Sequence, residues 1–221
     1  MSGALNSHYP HTKDNSSNLF EHCDNWEKKY LSPELLLTQL NFKLIANLQG
    51  PGIFSFPLFS KNFCNQLIKK LKKFDNWTTD RHEFYPTNDV LIEDFDMEFS
   101  KMYNSVLCNM LLESVHQLYD FPYPDPDLFE HETFIIRYKP ELQGHLDLHH
   151  DQSSFSTIVT LSSQKDYEGG GTYLCKQNLT LKAKQGEVMI HPGILTHRHG
   201  VRPIISGERY ALVSFCRINF F

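Results

Sequence analysis

Apolar positions fall into two textures along the chain, helical spacing in the first half and short β-rich runs in the second. Over residues 1–31 there is neither. That stretch is polar, crowded with Asn, Ser, His and Lys, and reads as a flexible leader. Ser32-Pro33-Glu34 has the form of an N-cap with proline at the first helical position, opening a short helix through Leu35, Leu36, Leu37 and Leu40 that Gly50-Pro51-Gly52 closes. Ser60 caps a second helix, in which Phe63, Cys64, Leu67, Ile68, Leu71 and Phe74 share one face while Lys69, Lys70, Lys72 and Lys73 face out. A third helix is predicted from about Asp96 to Leu118 and ends at Phe121-Pro122-Tyr123-Pro124-Asp125-Pro126, which neither a helix nor a central strand accommodates.

Beyond the prolines the periodicity changes. Thr133–Tyr138, Phe155–Leu161, Gly171–Cys175, Leu179–Ala183, Glu187–Ile190 and Tyr210–Phe215 are short runs bounded by Gly, Pro, Asp or Ser. Such strands predict a sandwich or jelly-roll barrel rather than βαβ units. At 221 residues and 40% hydrophobic the chain is sized for one domain, expected over 32–221, with a helical part at 32–120 and a β core at about 130–218.

Composition narrows the function. A net charge of −5 without a broad basic face disfavours nucleic acid as a partner, and no run of 18 apolar residues predicts a membrane span. The start has neither a basic nor an apolar signal region, so a cytoplasmic or nuclear location is expected, with the endoplasmic reticulum lumen as the alternative if a signal peptide precedes it. The acceptor patterns at Asn15, Asn76 and Asn178 would matter only in that alternative. Five scattered cysteines without a CxxC pair support neither a disulfide framework nor a thiolate zinc site.

Histidine supplies the candidate chemistry. His145, His149, His150, His191, His197 and His199 place six of the twelve histidines within 55 residues, and neutral imidazole is the commonest metal ligand among side chains. His149-x-Asp151 puts an imidazole and a carboxylate on the same side of an extended segment. A third ligand from His197 or His199 would complete two histidines and one carboxylate, the facial set that holds Fe(II) and leaves coordination positions open. His145-x-Asp147 repeats the spacing but does not run directly into a strand signal. His150 is expected to point away, and His191 to be a turn residue or part of a pocket wall. Arg209 enters an apolar strand, where a buried guanidinium needs an anion, either a protein acid or the far carboxylate of a bound dicarboxylic acid. Gly169-Gly170-Gly171 reads as a turn, with Asp166 and Glu168 solvated beside it.

The run Phe134-Ile135-Ile136-Arg137-Tyr138-Lys139-Pro140, His149-His150-Asp151, Asp166 to Gly171, His191-Pro192-Gly193, and Thr196-His197-Arg198-His199 with Arg209-Tyr210, resembles the catalytic domain of procollagen lysyl hydroxylases, within the Fe(II)- and 2-oxoglutarate-dependent dioxygenases. The resemblance covers about residues 130–218. It implies a mainly β domain with helical support (α+β), a double-stranded β-helix or jelly roll with N-terminal helices packed on one side. It also implies an iron site of His149, Asp151 and His199, and 2-oxoglutarate held by Arg209 with help from Tyr138. Fe(II), 2-oxoglutarate, O₂ and a candidate role for ascorbate follow, with a lysine or proline side chain of a protein or peptide as substrate. Ile158 stands where those hydroxylases carry an amide residue. Rival readings are an oxygenase acting on a nucleic-acid base or small molecule, a non-catalytic barrel module, which could lose any of these residues freely, and a zinc hydrolase, which gives Arg209 no task. The sequence does not indicate an oligomeric state.

Overall fold

The computed structural model describes residues 25–82, 84–122 and 128–219. The expected leader up to residue 24, the Asn15 acceptor and most of the proline stretch lie outside them. The helical elements are α1 (Trp26–Tyr30), α2 (Pro33–Leu37), α3 (Phe42–Ile45), α4 (Lys61–Leu71), α5 (Ile92–Phe95), α6 (Met97–Val106) and α7 (Leu112–Tyr119). The strands are β1 (Asn47–Gly50), β2 (Ile53–Pro57), β3 (Asp89–Leu91), β4 (Phe129–Tyr138), β5 (Leu146–His149), β6 (Phe155–Thr160), β7 (Tyr167–Gly169), β8 (Thr172–Leu174), β9 (Leu179–Leu181), β10 (Glu187–Pro192), β11 (His199–Val201), β12 (Ile204–Gly207) and β13 (Arg209–Ile218).

The expected caps form. Ser32 Oγ accepts from the Leu35 amide at 3.0 Å and Ser60 Oγ from the Phe63 amide at 3.2 Å, each meeting one of the donors that a helix start leaves open. The boundary at residue 31 is corrected: α1 precedes it, and Trp26, Tyr30 and Leu31 are buried in the core. The long third helix begins after a separate turn, α5, and passes from α6 to α7 through a π segment at Leu107–Leu111. Its Asp96 cap accepts from both the Glu98 and Phe99 amides.

Among the described residues all strand pairings are antiparallel. A seven-stranded sheet runs β1-β2-β10-β6-β13-β4-β3, and a four-stranded sheet β5-β11-β8-β9 faces it, with β12 and β7 paired separately. This is the expected jelly roll. The hairpin β1–β2 replaces the simple helix closure read at Gly50-Pro51-Gly52.

Strand alternation divides the large sheet between two cores. On β13, Tyr210, Leu212 and Cys216 join the cluster under the helices, whereas Ala211 and Val213 join the cluster between the sheets. On β4, Ile135 goes to the first and Phe134, Ile136 and Tyr138 to the second. Helices thus cover one face of the sheet, and the other face is left as the wall of a pocket.

Candidate metal centre and co-substrate pocket

His149 ends β5, Asp151 lies two residues beyond it, and His199 opens β11, which pairs directly with β5 at His149. One ligand atom from each lies within 4.8 Å of the others, and all three residues are buried. His149 Nε2 is 3.2 Å from Asp151 Oδ1, and His199 Nε2 is 3.7 Å from Asp151 Oδ2.

Backbone carbonyls set the tautomers. His149 Nδ1 donates to the Asp147 carbonyl at 2.7 Å, and His199 Nδ1 donates to the His197 carbonyl at 2.9 Å. Since a carbonyl only accepts, each Nδ1 carries hydrogen and each Nε2 is turned toward Asp151, the atom from which the neutral ring would ligate a metal. Asp151 is fixed by Ser156, whose Oγ donates to Oδ2 at 2.6 Å and itself contacts Ser153 Oγ at 2.8 Å. Gly193 permits this packing, because a Cβ there would lie 2.1 Å from the Ser153 carbonyl.

The electrostatics suit a cation. Burial lowers the His199 pKa to about 3, so its ring is neutral near pH 7. Burial raises the Asp151 pKa, but neighbouring His199 and His149 outweigh it and hold the carboxyl below its ordinary value. Asp151 Oδ1 is buried without a hydrogen-bond partner among the described residues. An ionised carboxylate buried between two imidazoles is a site that a divalent ion satisfies once both rings are neutral, so the residues fit Fe(II).

The other histidines separate clearly. His145 and Asp147 contact each other at 3.6 Å with side chains 58% and 83% exposed, away from the cluster. His197 lies on the loop before β11 rather than on a strand beside His199, and its Nε2 bonds the Pro51 carbonyl at 2.9 Å. His150 is exposed, although it lines the pocket. His191 is a fully buried β10 residue, not a turn residue, with its ring 4.7 Å from that of His199 and its Nε2 without a partner among the described residues. Gly169–Gly171 connect β7 to β8 as a turn, and Asp166 and Glu168 are exposed outside the pocket.

A cavity of about 340 Å³ opens beside the cluster. His149, Asp151 and His199 form one side, with Tyr138, Ile158, Arg209, Ala211 and Val213 of the large sheet on the other. Arg209 is buried, with its guanidinium carbon 5.3 Å from the Tyr138 ring centroid. Among the described residues no carboxylate lies within ion-pair distance of it. Burial pushes the Tyr138 hydroxyl up to about 12, although Arg209 draws it down, so it is a neutral donor. Sequence reasoning missed Arg81, His82, Tyr85, Asp89 and Glu132, which lie at or beside the same cavity. Their approach depends on β3 pairing with β4, which no local spacing announces.

Residues 129–218 match the family model described as the 2OG-Fe(II) oxygenase superfamily. This region is a 2OG-Fe(II) oxygenase domain. The chain is 32% identical over 209 residues to "Procollagen lysyl hydroxylase and glycosyltransferase" of Acanthamoeba polyphaga mimivirus, covering 87% of this chain and 22% of that protein. It is 31% identical over 208 residues to "Multifunctional procollagen lysine hydroxylase and glycosyltransferase" of Caenorhabditis elegans, covering 89% and 28%. The chain therefore spans about a quarter of the length of these relatives, and the similarity extends into its helical half, beyond the region that carried the sequence resemblance. A Trichoplax adhaerens prolyl hydroxylase, solved with a hypoxia inducible factor peptide fragment, superposes with a TM-score of 0.61 at 12% identity, over 83% of this chain and 92% of that one. That likeness is one of fold. Enzymes of the 2OG-Fe(II) oxygenase family need Fe(II), 2-oxoglutarate and O₂. Among the described residues no helix is long and apolar enough to cross a membrane.

Proposed function

We propose that the chain hydroxylates a lysine or proline side chain of a protein. The observation that carries this reading is one cavity with a buried imidazole–carboxylate–imidazole cluster on one wall and Arg209, free of any described protein carboxylate, on the other. His149 Nε2, Asp151 and His199 Nε2 hold Fe(II). Arg209 takes the far carboxylate of 2-oxoglutarate through its two-pronged guanidinium, with Tyr138 as a neighbouring hydroxyl donor.

Iron bound there supplies the redox chemistry that activates O₂. In the overall reaction a substrate C–H, 2-oxoglutarate and O₂ give C–OH, succinate and CO₂, one oxygen atom entering the substrate and the other succinate. The protein's part is placement. Backbone carbonyls keep both imidazoles in the ligating tautomer, Ser156 orients Asp151, and Ile158, Ala211 and Val213 line a dry wall beside the co-substrate.

The test of function is anaerobic protein loaded with Fe(II) and 2-oxoglutarate, mixed with lysine- and proline-containing peptides and then exposed to O₂. A peptide mass gain of one oxygen with stoichiometric succinate is expected; iron binding without any peptide oxidation overturns the reading.

A further inference from the structure

Opposite the metal ligands, the pocket wall carries a charge cluster that co-substrate binding leaves unused. Glu132, Phe134, Ile136 and Tyr138 alternate onto one face of β4, and all line the cavity. Tyr138, opposite Arg209, marks the co-substrate end. Glu132, six residues earlier on the strand, lies roughly 20 Å from it at ~3.4 Å per residue. Asp89 on β3 stands opposite Ile136 and so faces the same side.

Arg81 joins the two acids. Its Nη1 lies 2.6 Å from Asp89 Oδ1, and its Nη2 pairs with Glu132. The acids are otherwise unlike. Asp89 is wholly buried, accepts from Thr87 Oγ1 and faces His82 Nε2 at 3.6 Å. The Glu132 side chain is 43% exposed and, among the described residues, its carboxylate contacts Arg81 alone. Burial favours the neutral form of His82, although Asp89 acts in the other direction. Two carboxylates and one guanidinium therefore leave this part of the wall one positive charge short of neutrality. Of the other cations lining the cavity, Arg209 lies at the far end, and Arg217 stands opposite Glu130 with its Nε donating to the Gln152 carbonyl at 3.1 Å.

We propose that Glu132 is the specificity residue for a cationic substrate side chain: a lysine ammonium takes the place of Arg81 on Glu132, while Asp89 keeps the guanidinium. The exchange pairs two anions with two cations and completes the missing charge. Arg81 can release Glu132 because its bond to the buried Asp89 is the better shielded of the two. A prolyl side chain brings no charge and leaves Arg81 in place. The inference rests on the hydroxylase reading and narrows its substrate to lysine.

The test is a protein–peptide cycle on the full chain, anaerobic with Fe(II) and 2-oxoglutarate. The probes are a labelled Gly-Pro-Lys repeat peptide and its norleucine analogue, equal in length but uncharged. Wild type is expected to prefer the lysyl peptide by about tenfold, or 1.4 kcal/mol. Glu132→Gln should abolish that preference without changing norleucine-peptide or 2-oxoglutarate affinity, and Glu132→Asp should restore part of it. Thermal melting verifies that each variant is folded. A preference that survives in Glu132→Gln, or is absent from wild type, overturns the exchange. If wild type hydroxylates lysyl peptides in either case, the hydroxylase reading stands and only the exchange falls. If it hydroxylates prolyl peptides alone, the exchange falls too; if it oxidises neither peptide, both readings fall.

Discussion

Arg209 and Tyr138 stand directly opposite each other on neighbouring strands, both buried, with the guanidinium carbon 5.3 Å from the phenol ring centroid. Their strands are locked in continuous register over ten pairs, from Arg209–Tyr138 to Ile218–Phe129. The cation is therefore held by a rigid frame and needs no loop to close before it can meet an anion.

This arrangement predicts a selective loss in Arg209→Ala. Co-substrate binding should weaken by roughly 2–5 kcal/mol while iron binding survives. Arg209→Lys should fall between wild type and alanine, since it keeps the charge and loses the fork. Tyr138→Phe removes a neutral donor and should cost about 0.5–1.5 kcal/mol. Titration of 2-oxoglutarate into each iron-loaded variant, with a thermal melt of the same sample, checks the order. Wild-type affinity in a folded Arg209→Ala protein would remove 2-oxoglutarate from this site.

The two HxD motifs give opposite expectations. Asp151→Ala deletes the buried carboxylate proposed to bind iron and should abolish tight Fe(II) binding and turnover. Asp147→Ala alters a side chain that is 83% exposed, and should change stability by no more than about 0.5 kcal/mol. Its backbone carbonyl, which orients His149, is retained in the variant. Iron stoichiometry and peptide oxidation decide between the motifs.

His199 and His197 should separate just as sharply. His199→Ala should eliminate the weak visible absorption of an iron-chelated oxoacid. His197→Ala breaks the bond that ties the loop before β11 to the β1–β2 turn, and should cost about 1–3 kcal/mol of stability while leaving that absorption in place. Loss of the absorption in both folded variants would place the third ligand in doubt.

Acid should destabilise the metal-free protein. His199 is lowered from 6.5 to about 3, and burial also lowers His191, His131 and His82. Below pH 6.5 the unfolded chain takes up protons that the folded one refuses, so the stabilising contribution of these groups is full above that pH and declines as the pH falls toward 3. His149 acts in the opposite sense: burial disfavours its charge, but Asp151 outweighs this and raises its pKa, offsetting part of the loss. The melting temperature of iron-free protein should thus be lower at pH 5 than at pH 7.5, and Fe(II) should raise it more at the higher pH. A constant or rising melting temperature on acidification would contradict the neutral burial of these rings.

Local signals were legible in the sequence, and long-range ones were not. Ser60 and the apolar spacing from Phe63 to Leu71 announce α4, and His149-x-Asp151 announces a buried imidazole–carboxylate pair, because both depend on near neighbours. The choice between His197 and His199 does not. It depends on the Pro51 carbonyl, 146 residues away, which occupies His197. β1 is largely exposed and β2 is buried on both faces, so neither shows alternation. β3 has only three residues. Trp26 and Tyr30, four apart, carried a helical signal that the polar background around them concealed. The meeting of Arg81 with Glu132 spans 51 positions and exists only once β3 lies against β4.

The division of β13 between two cores has an evolutionary consequence. Tyr210, Leu212 and Cys216 answer to the helical layer, while Arg209, Ala211 and Val213 answer to the cavity. Selection can therefore act on the two sets almost independently: drift in the first tunes how firmly the domain holds together, and change in the second alters what the cavity admits. A new substrate preference can arise on one side of a single strand while the other side keeps the scaffold intact.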